Sequence, residues 1–274
     1  MDPYDTVAQK LSRQLTEQYS TSFSTASRLF SHGIRQHVYN IYGLVRIADE
    51  IVDTYPGTDK AILLNSLEQE TYAAMERGFS SNPLVHAFAL TARKYAIDQQ
   101  LIQPFFESMR MDIQPATYDQ KAYEQYIYGS AEVVGLMCLR VFCEGDSAMY
   151  TTLAPGAQRL GAAYQKVNFL RDLAADHNEL GRFYFPNVTY DTFSEAAKQA
   201  VIADITTDFT AVLPYIRALP AAAKPAVMTS YRYYCALLGK LQSTPLERIK
   251  KERIRVSAYK KALLLAPQAA RVRR

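Results

Sequence analysis

The sequence predicts an all-α fold. Helix periodicity dominates its 274 residues and alternating strand patterns are scarce. The interruptions are those that end helices: Pro56-Gly57, Ser81-Asn82-Pro83, Gln114-Pro115, Gly145-Asp146, Leu219-Pro220 and Ser243-Thr244-Pro245. Between and around them the expected helices run from Tyr4 to Tyr19, Ser22 to Phe30, Gly33 to Tyr55, Asp59 to Arg77, Pro83 to Ile97 and Gln100 to Asp112. They continue from Asp119 to Phe142, Ser147 to Asp176, Phe193 to Ala218, Lys224 to Leu241 and Pro245 to Ala266. With 49% hydrophobic and 21% charged residues the composition is globular, not disordered. No internal repeat, low-complexity linker or Gly/Ser-rich hinge breaks the chain, so one domain over residues 1–274 is expected.

Several function classes drop out. There is no G-x-G-x-x-G or Walker pattern, and the four His show no H-x-x-x-H spacing. The cysteines, Cys138, Cys143 and Cys235, are odd in number and form no C-x-x-C, which speaks against a disulfide framework or a structural zinc and for thiols in a reducing cytosol. The N-terminus MDPYDTVAQK reads as neither signal nor transit peptide, and no apolar run approaches the ~20 residues that span a bilayer. A cytoplasmic protein is expected. The net charge of +4 is uneven: Lys240 to Arg274 holds 11 Lys/Arg and 2 Glu. That basic segment is either a solvated face or a peripheral contact with an anionic membrane. No reader motif accompanies it, so nucleic acid is not an expected partner.

Two helical faces carry the chemistry. Tyr42, Arg46, Asp49 and Asp53 share one face, and Gln165, Asn168, Asp172 and Asp176 share another. At 100° per residue each set falls within a wedge of about 80°. Carboxylates one turn apart suit Mg²⁺, which takes one or two of them, its own waters and phosphate oxygens. Bound there, Mg²⁺ makes a diphosphate a better leaving group. Arg46 and Arg171 beside the pairs suit phosphate oxygens. Two readings remain open from the residues: a metal–diphosphate site, or buried salt bridges to those two arginines. A third pair, Asp204 and Asp208, follows Ala197, Ala200 and Val201 on its face and reads as solvated. Tyr123, Tyr126 and Tyr128 read mainly as helix packing, with one available to flank a cavity. The loop GRFYFP (181–186) could cap the acidic site and keep water out.

Five stretches together are specific: YSTSFSTASRLF (19–30), IYGLVRIADEIVD (41–53), YIYGSAEVVGLM (126–137), YQKVNFLRDLAADHNELGRFYFP (164–186) and RIRVSAYKKALLL (253–265). On them the chain resembles the squalene/phytoene synthase family of trans-isoprenyl diphosphate synthases, and its bacterial phytoene synthases in particular. The resemblance implies an isoprenoid synthase helical bundle around a central cavity. It implies Mg²⁺-dependent head-to-head condensation of two prenyl diphosphates, with Mn²⁺ as a substitute metal. Asp49, Asp53, Asp172 and Asp176 would then bind metal. Arg46, Gln165, Asn168 and Arg171 would support the diphosphates, with Ser22, Phe23 and Tyr42 on the substrate. Tyr126 would lie near the reacting carbons, joining Arg46 and Arg171 as catalytic candidates. Tyr19 stands where the family often has His, and Ser130-Ala131-Glu132 where it often has V-A-G. Small residues from Ser24 to Ser27 favour a deep pocket, hence two C20 substrates and phytoene. The alternative is farnesyl diphosphate and dehydrosqualene or squalene; NADPH is not expected. A cyclase or head-to-tail elongase would show D-D-x-x-D, and none occurs.

Overall fold

The computed structural model describes residues 2–113 and 118–257, with Thr21 and Ser22 as backbone only. The described elements are helices. They are α1 (Pro3–Tyr19), α2 (Thr21–Ser27), α3 (His32–Asp49), α4 (Lys60–Arg77), α5 (Pro83–Tyr95), α6 (Gln99–Met111) and α7 (Gln120–Ile127). After them come α8 (Val133–Cys143), α9 (Ser147–Leu180), α10 (Glu195–Ala218), α11 (Lys224–Ser243) and α12 (Leu246–Ile249). One π turn, Glu50–Thr54, extends α3, and another, Tyr128–Glu132, joins α7 to α8.

Capping side chains fix the starts. Asp2 accepts from the Tyr4 amide at 2.8 Å, Asp119 from Ala122 at 2.7 Å and Asp146 from Met149 at 2.8 Å. The longest helix, α9, stops at Gly181, whose φ of 66° is the left-handed conformation that glycine adopts without strain. The π turns sit in the two walls that matter for function. Asp53 lies in the first, and the second packs on α9 so closely that a Cβ at Gly161 would stand 2.6 Å from the Ala131 carbonyl oxygen.

α9 is the axis. It packs against α8, which precedes it through the short turn at Glu144–Asp146, and α10 returns along it. One apolar cluster gathers α3, α5, α6 and α8; a second, richer in Tyr and Phe, joins α7, α9, α10, α11 and the loop after Gly181. The continuous helix Gln120–Cys143 is long and apolar enough to cross a membrane by length and composition, against the expectation that no segment is. Over half of its apolar stretch is buried inside the bundle, so burial in the core accounts for its composition. The three cysteines are free thiols, and burial pushes Cys138 up to about 12.

The last expected helix needs correction. It ends at Ile249, and residues 253–257 form no regular element. Ile254 and Val256 are buried while Arg253, Arg255 and Ser257 are exposed, a period of two. Tyr190 Oη donates to the Lys250 carbonyl at 2.9 Å and Lys240 Nζ to the Arg255 carbonyl at 2.6 Å, pinning the segment down. The remainder of the basic tail, and with it any membrane contact, lies outside the described residues.

Candidate active site

α3 and α9 both carry their aspartates at their C-terminal ends, and a single arginine ties those ends together. The Gly181 turn brings Arg182 back so that its amide donates to the Asp176 carbonyl at 2.8 Å. Its guanidinium, 5% exposed, reaches across to Asp53, with Nη1 2.5 Å from Oδ1. The same guanidinium donates to the carbonyls of Asp112 at 2.8 Å and Val52 at 3.3 Å. The two acidic pairs expected from the sequence thus share one mouth.

Asp112 sits beneath this mouth and is buried. Tyr126 Oη donates to its Oδ2 at 2.7 Å, Tyr184 Oη to its Oδ1 at 2.9 Å, and Arg182 Nε lies 3.6 Å from Oδ1. Burial pushes its carboxyl up to about 6 although Arg182 and both tyrosines favour the charged form. Neither Asp112 nor Arg182 belongs to the two acidic faces legible in the sequence. Arg182 had a signal in the GRFYFP loop; Asp112, at the end of α6, had none. Tyr126 is not among the residues that line the cavity described below. Its hydroxyl is committed to Asp112, and its ring packs against Phe169 and Tyr184.

The aspartates meet arginines as well as each other. Arg46 pairs with Glu50 and lies 3.9 Å from Asp49, with its guanidinium 4.2 Å from the centre of the Tyr19 ring. Arg171 grips Asp172 through Nε at 2.9 Å and Nη2 at 2.6 Å, and Arg253, from the segment after α12, reaches it at 2.7 Å. Asp176 makes no ion pair among the described residues. Burial, then the neighbouring Asp172, pushes it up to about 7; burial, then Asp53, does the same to Asp49. Among the described residues no three His, Cys, Asp or Glu side chains close around one point. The donor set is nonetheless all hard oxygen, with the half-buried carboxylate of Asp176 left without an ion pair among the described residues. That fits a divalent ion completing its shell with waters and phosphate oxygens.

Below the mouth lies an apolar cavity of about 380 Å³. Tyr42, Gln165, Asn168 and Tyr234 line its upper part, where Tyr234 Oη donates to Asn168 Oδ1 at 3.2 Å and Tyr42 stacks on Phe23 with centroids 5.2 Å apart. Burial raises the Tyr42 hydroxyl to about 12, so it stays a neutral donor. Phe23 lines the cavity too, while the side chain of Ser22 lies outside the described residues. The lining descends α9 from Asn168 to Leu153, 15 residues or about 22 Å of helix. Glu132, one of the departures from the family pattern, is not in the lining. Its carboxylate faces Gln158 at 3.4 Å, and the charges that act on it are Lys166 and Asp208, behind α9. Tyr123 packs in the second cluster, as expected, whereas Tyr128 is 36% exposed and belongs to neither cluster.

An acidic, arginine-flanked mouth over a long apolar cavity in an all-helical bundle defines an enzyme class that acts on an anionic head group with an apolar tail. The match of the squalene/phytoene synthase family model to residues 16–260 places this chain in that family, whose members are divalent-metal-dependent head-to-head prenyltransferases acting on prenyl diphosphates. Among curated relatives, the 15-cis-phytoene synthase of a Paracoccus species is 30% identical over 183 residues, covering 64% of this chain and 59% of that enzyme. The 4,4'-diapophytoene synthase of Staphylococcus haemolyticus is 24% identical over 200 residues, covering 71% and 68%. Less than two thirds of the Paracoccus enzyme is thus spanned. A solved dehydrosqualene synthase superposes with a TM-score of 0.82 at 19% identity, over 99% of each chain. A squalene synthase from Alicyclobacillus acidocaldarius does so with 0.78 at 20% identity, over 92% of this chain and 98% of that one. Both likenesses bear on the fold alone.

Proposed function

We propose that this protein is a phytoene synthase, joining two geranylgeranyl diphosphates head to head through a cyclopropylcarbinyl diphosphate. The observation that carries the reading is Arg182, which draws both acidic pairs to the mouth of one apolar cavity. Asp49, Asp53, Asp172 and Asp176 would hold Mg²⁺, which when bound polarises the diphosphate leaving group. Arg46 and Arg171, with Gln165 and Asn168, bind the diphosphate oxygens as charge develops on them. Tyr42 and Phe23 flank the upper prenyl chain. Tyr126 and Tyr184 hold Asp112, Asp112 holds Arg182, and Arg182 fixes Asp53, so these tyrosines position the mouth. The apolar walls keep water from an allylic cation.

The depth of the cavity supports the C20 reading. An isoprene repeat of four backbone carbons, at about 1.5 Å per bond, advances about 5 Å. A C20 chain therefore needs about 20 Å and a C15 chain about 15 Å, and the lining along α9 offers about 22 Å. Product analysis by mass spectrometry tests this, using Mg²⁺ with farnesyl or geranylgeranyl diphosphate, with and without NADPH. A C40 hydrocarbon from the C20 substrate, indifferent to NADPH, is the expected result. A C30 product from the C15 substrate alone overturns it and favours the activity named for the Staphylococcus relative. The basic segment from Lys240 onward is the proposed contact with an anionic membrane, tested by loss of vesicle binding on deletion of residues 268–274.

A further inference from the structure

The lining residues are ordered by the directions of their helices. α3 and α9 run from floor to mouth, so Val38 and Leu153 lie deepest on them. α8 descends beside α9 and ends its lining at Phe142. α2 descends from Phe23, beside Tyr42, to Phe30 in the turn that follows it. α10 reaches the same depth at Ile216, as does Leu219 just past its end. At that depth the rings of Phe30 and Phe142 stack, with centroids 5.2 Å apart and planes 30° from parallel. Phe30 is 6% exposed and Phe142 7%.

These two rings come from different elements, and each is fixed independently. The carbonyl of Phe30 accepts from Arg35 Nη2 at 2.8 Å, and the next amide, that of Ser31, donates to the Ala222 carbonyl at 3.0 Å. Phe142 rides on the last turn of α8, which closes in the left-handed residue Glu144. A packed interior does not yield by several ångströms to an incoming chain, and a ring removed from such a place leaves space that its surroundings only partly refill. None of the mouth chemistry touches this pair.

We infer that the Phe30–Phe142 stack is the length stop of the cavity, so that these two side chains set the longest prenyl tail the enzyme turns over. The inference rests on the prenyl-diphosphate reading of the site, though not on which chain length the native enzyme takes. One isoprene repeat needs about 5 Å of added depth, roughly the width of one ring. Removing either ring opens the floor by about one repeat. Adding a ring one turn above it, at Leu139, closes the cavity by a similar amount.

The test uses the full chain with Mg²⁺ and a series of C15, C20 and C25 prenyl diphosphates, read as ratios of kcat/KM and by product mass. In Phe142→Ala and in Phe30→Ala, the ratio for the substrate one unit longer than the native one, relative to the native one, should rise at least tenfold. In Leu139→Phe the ratio should move at least tenfold toward the next shorter substrate. Phe30→Leu serves if an alanine variant fails to fold, and should move the ratio in the same direction. Folded variants whose ratios stay within twofold of the native enzyme overturn the stop. A native enzyme that prefers C15 overturns the C20 assignment but supports the stop if the alanine variants then take C20. A native enzyme that turns over no prenyl diphosphate overturns both.

Discussion

Asp204 and Asp208 on α10 have the same i, i+4 spacing as Asp172 and Asp176 on α9, yet the two pairs live differently. The α10 pair is answered on the spot. Lys166 Nζ reaches Asp204 at 2.5 Å and Asp208 at 3.0 Å, and Arg159 stands 3.8 Å from Asp208. The α9 pair shares its mouth with the α3 pair and with arginines drawn from four places in the chain: Arg46, Arg171, Arg182 and Arg253. It still leaves Asp176 without an ion pair among the described residues. Spacing alone is therefore a poor guide. What sets the α3 and α9 faces apart is a second acidic face opposite, an excess of carboxylate over cation, and an apolar cavity below.

The largest effect should come from Arg182→Gln. It takes the cation from a carboxylate that is 4% exposed and unties the two pairs, costing roughly 3 kcal/mol or more of stability and nearly all turnover. A variant that melts within 2 °C of the native protein and stays active would remove Arg182 from the centre of the site. Next come Asp49→Asn and Asp172→Asn, which should keep the circular-dichroism spectrum and lose about 10³-fold in kcat. Full activity in either would unseat the metal assignment, and Asp208→Asn should lose less than twofold under the same assay.

A third effect concerns pH. Asp49 and Asp176 titrate near 7 in the metal-free fold, against about 4 in an unfolded chain. Between those values the folded state binds more protons, so their contribution to stability is fullest below about pH 4 and is lost as pH rises through 7. Divalent cations offset that loss, so Mg²⁺ should raise Tm more at pH 8 than at pH 5.5. Equal shifts at both would separate the cation from these two carboxylates. The smallest effect belongs to Lys166→Met, which leaves two like charges one turn apart and should cost about 1 kcal/mol with turnover within twofold. A large loss of turnover would make the α10 cluster part of the site.

The helices and the two acidic faces were legible because their information is local: a period of 3.6 and a spacing of four. The convergence of the faces on one mouth was implied by family resemblance, and its agent was not named, because Arg182 meets Asp53 across 129 residues. Asp112 was unreadable for the same reason, its partners Tyr126 and Tyr184 being set by packing of α6, α7 and the loop after α9. Tyr126 was singled out, but its surroundings were not: its hydroxyl serves a carboxylate instead of lining the cavity. The misjudged helix after Pro245 is instructive in the other direction. Arg253-Ile254-Arg255-Val256 alternates charged and apolar residues, and that period of two was present in the sequence, where the surrounding helix signals overrode it.

The carboxylates of Asp49, Glu50, Asp53, Asp112, Asp172 and Asp176 gather with the guanidiniums of Arg46, Arg171, Arg182 and Arg253, so the fully ionised mouth is two charges negative. A bare polyanion approaching it is repelled, while the same head group already carrying divalent counter-ions brings the charge that is missing. On the proposed function, that excess would make the entrance a filter on ionic form above neutral pH, favouring a cation-loaded head group over a naked one.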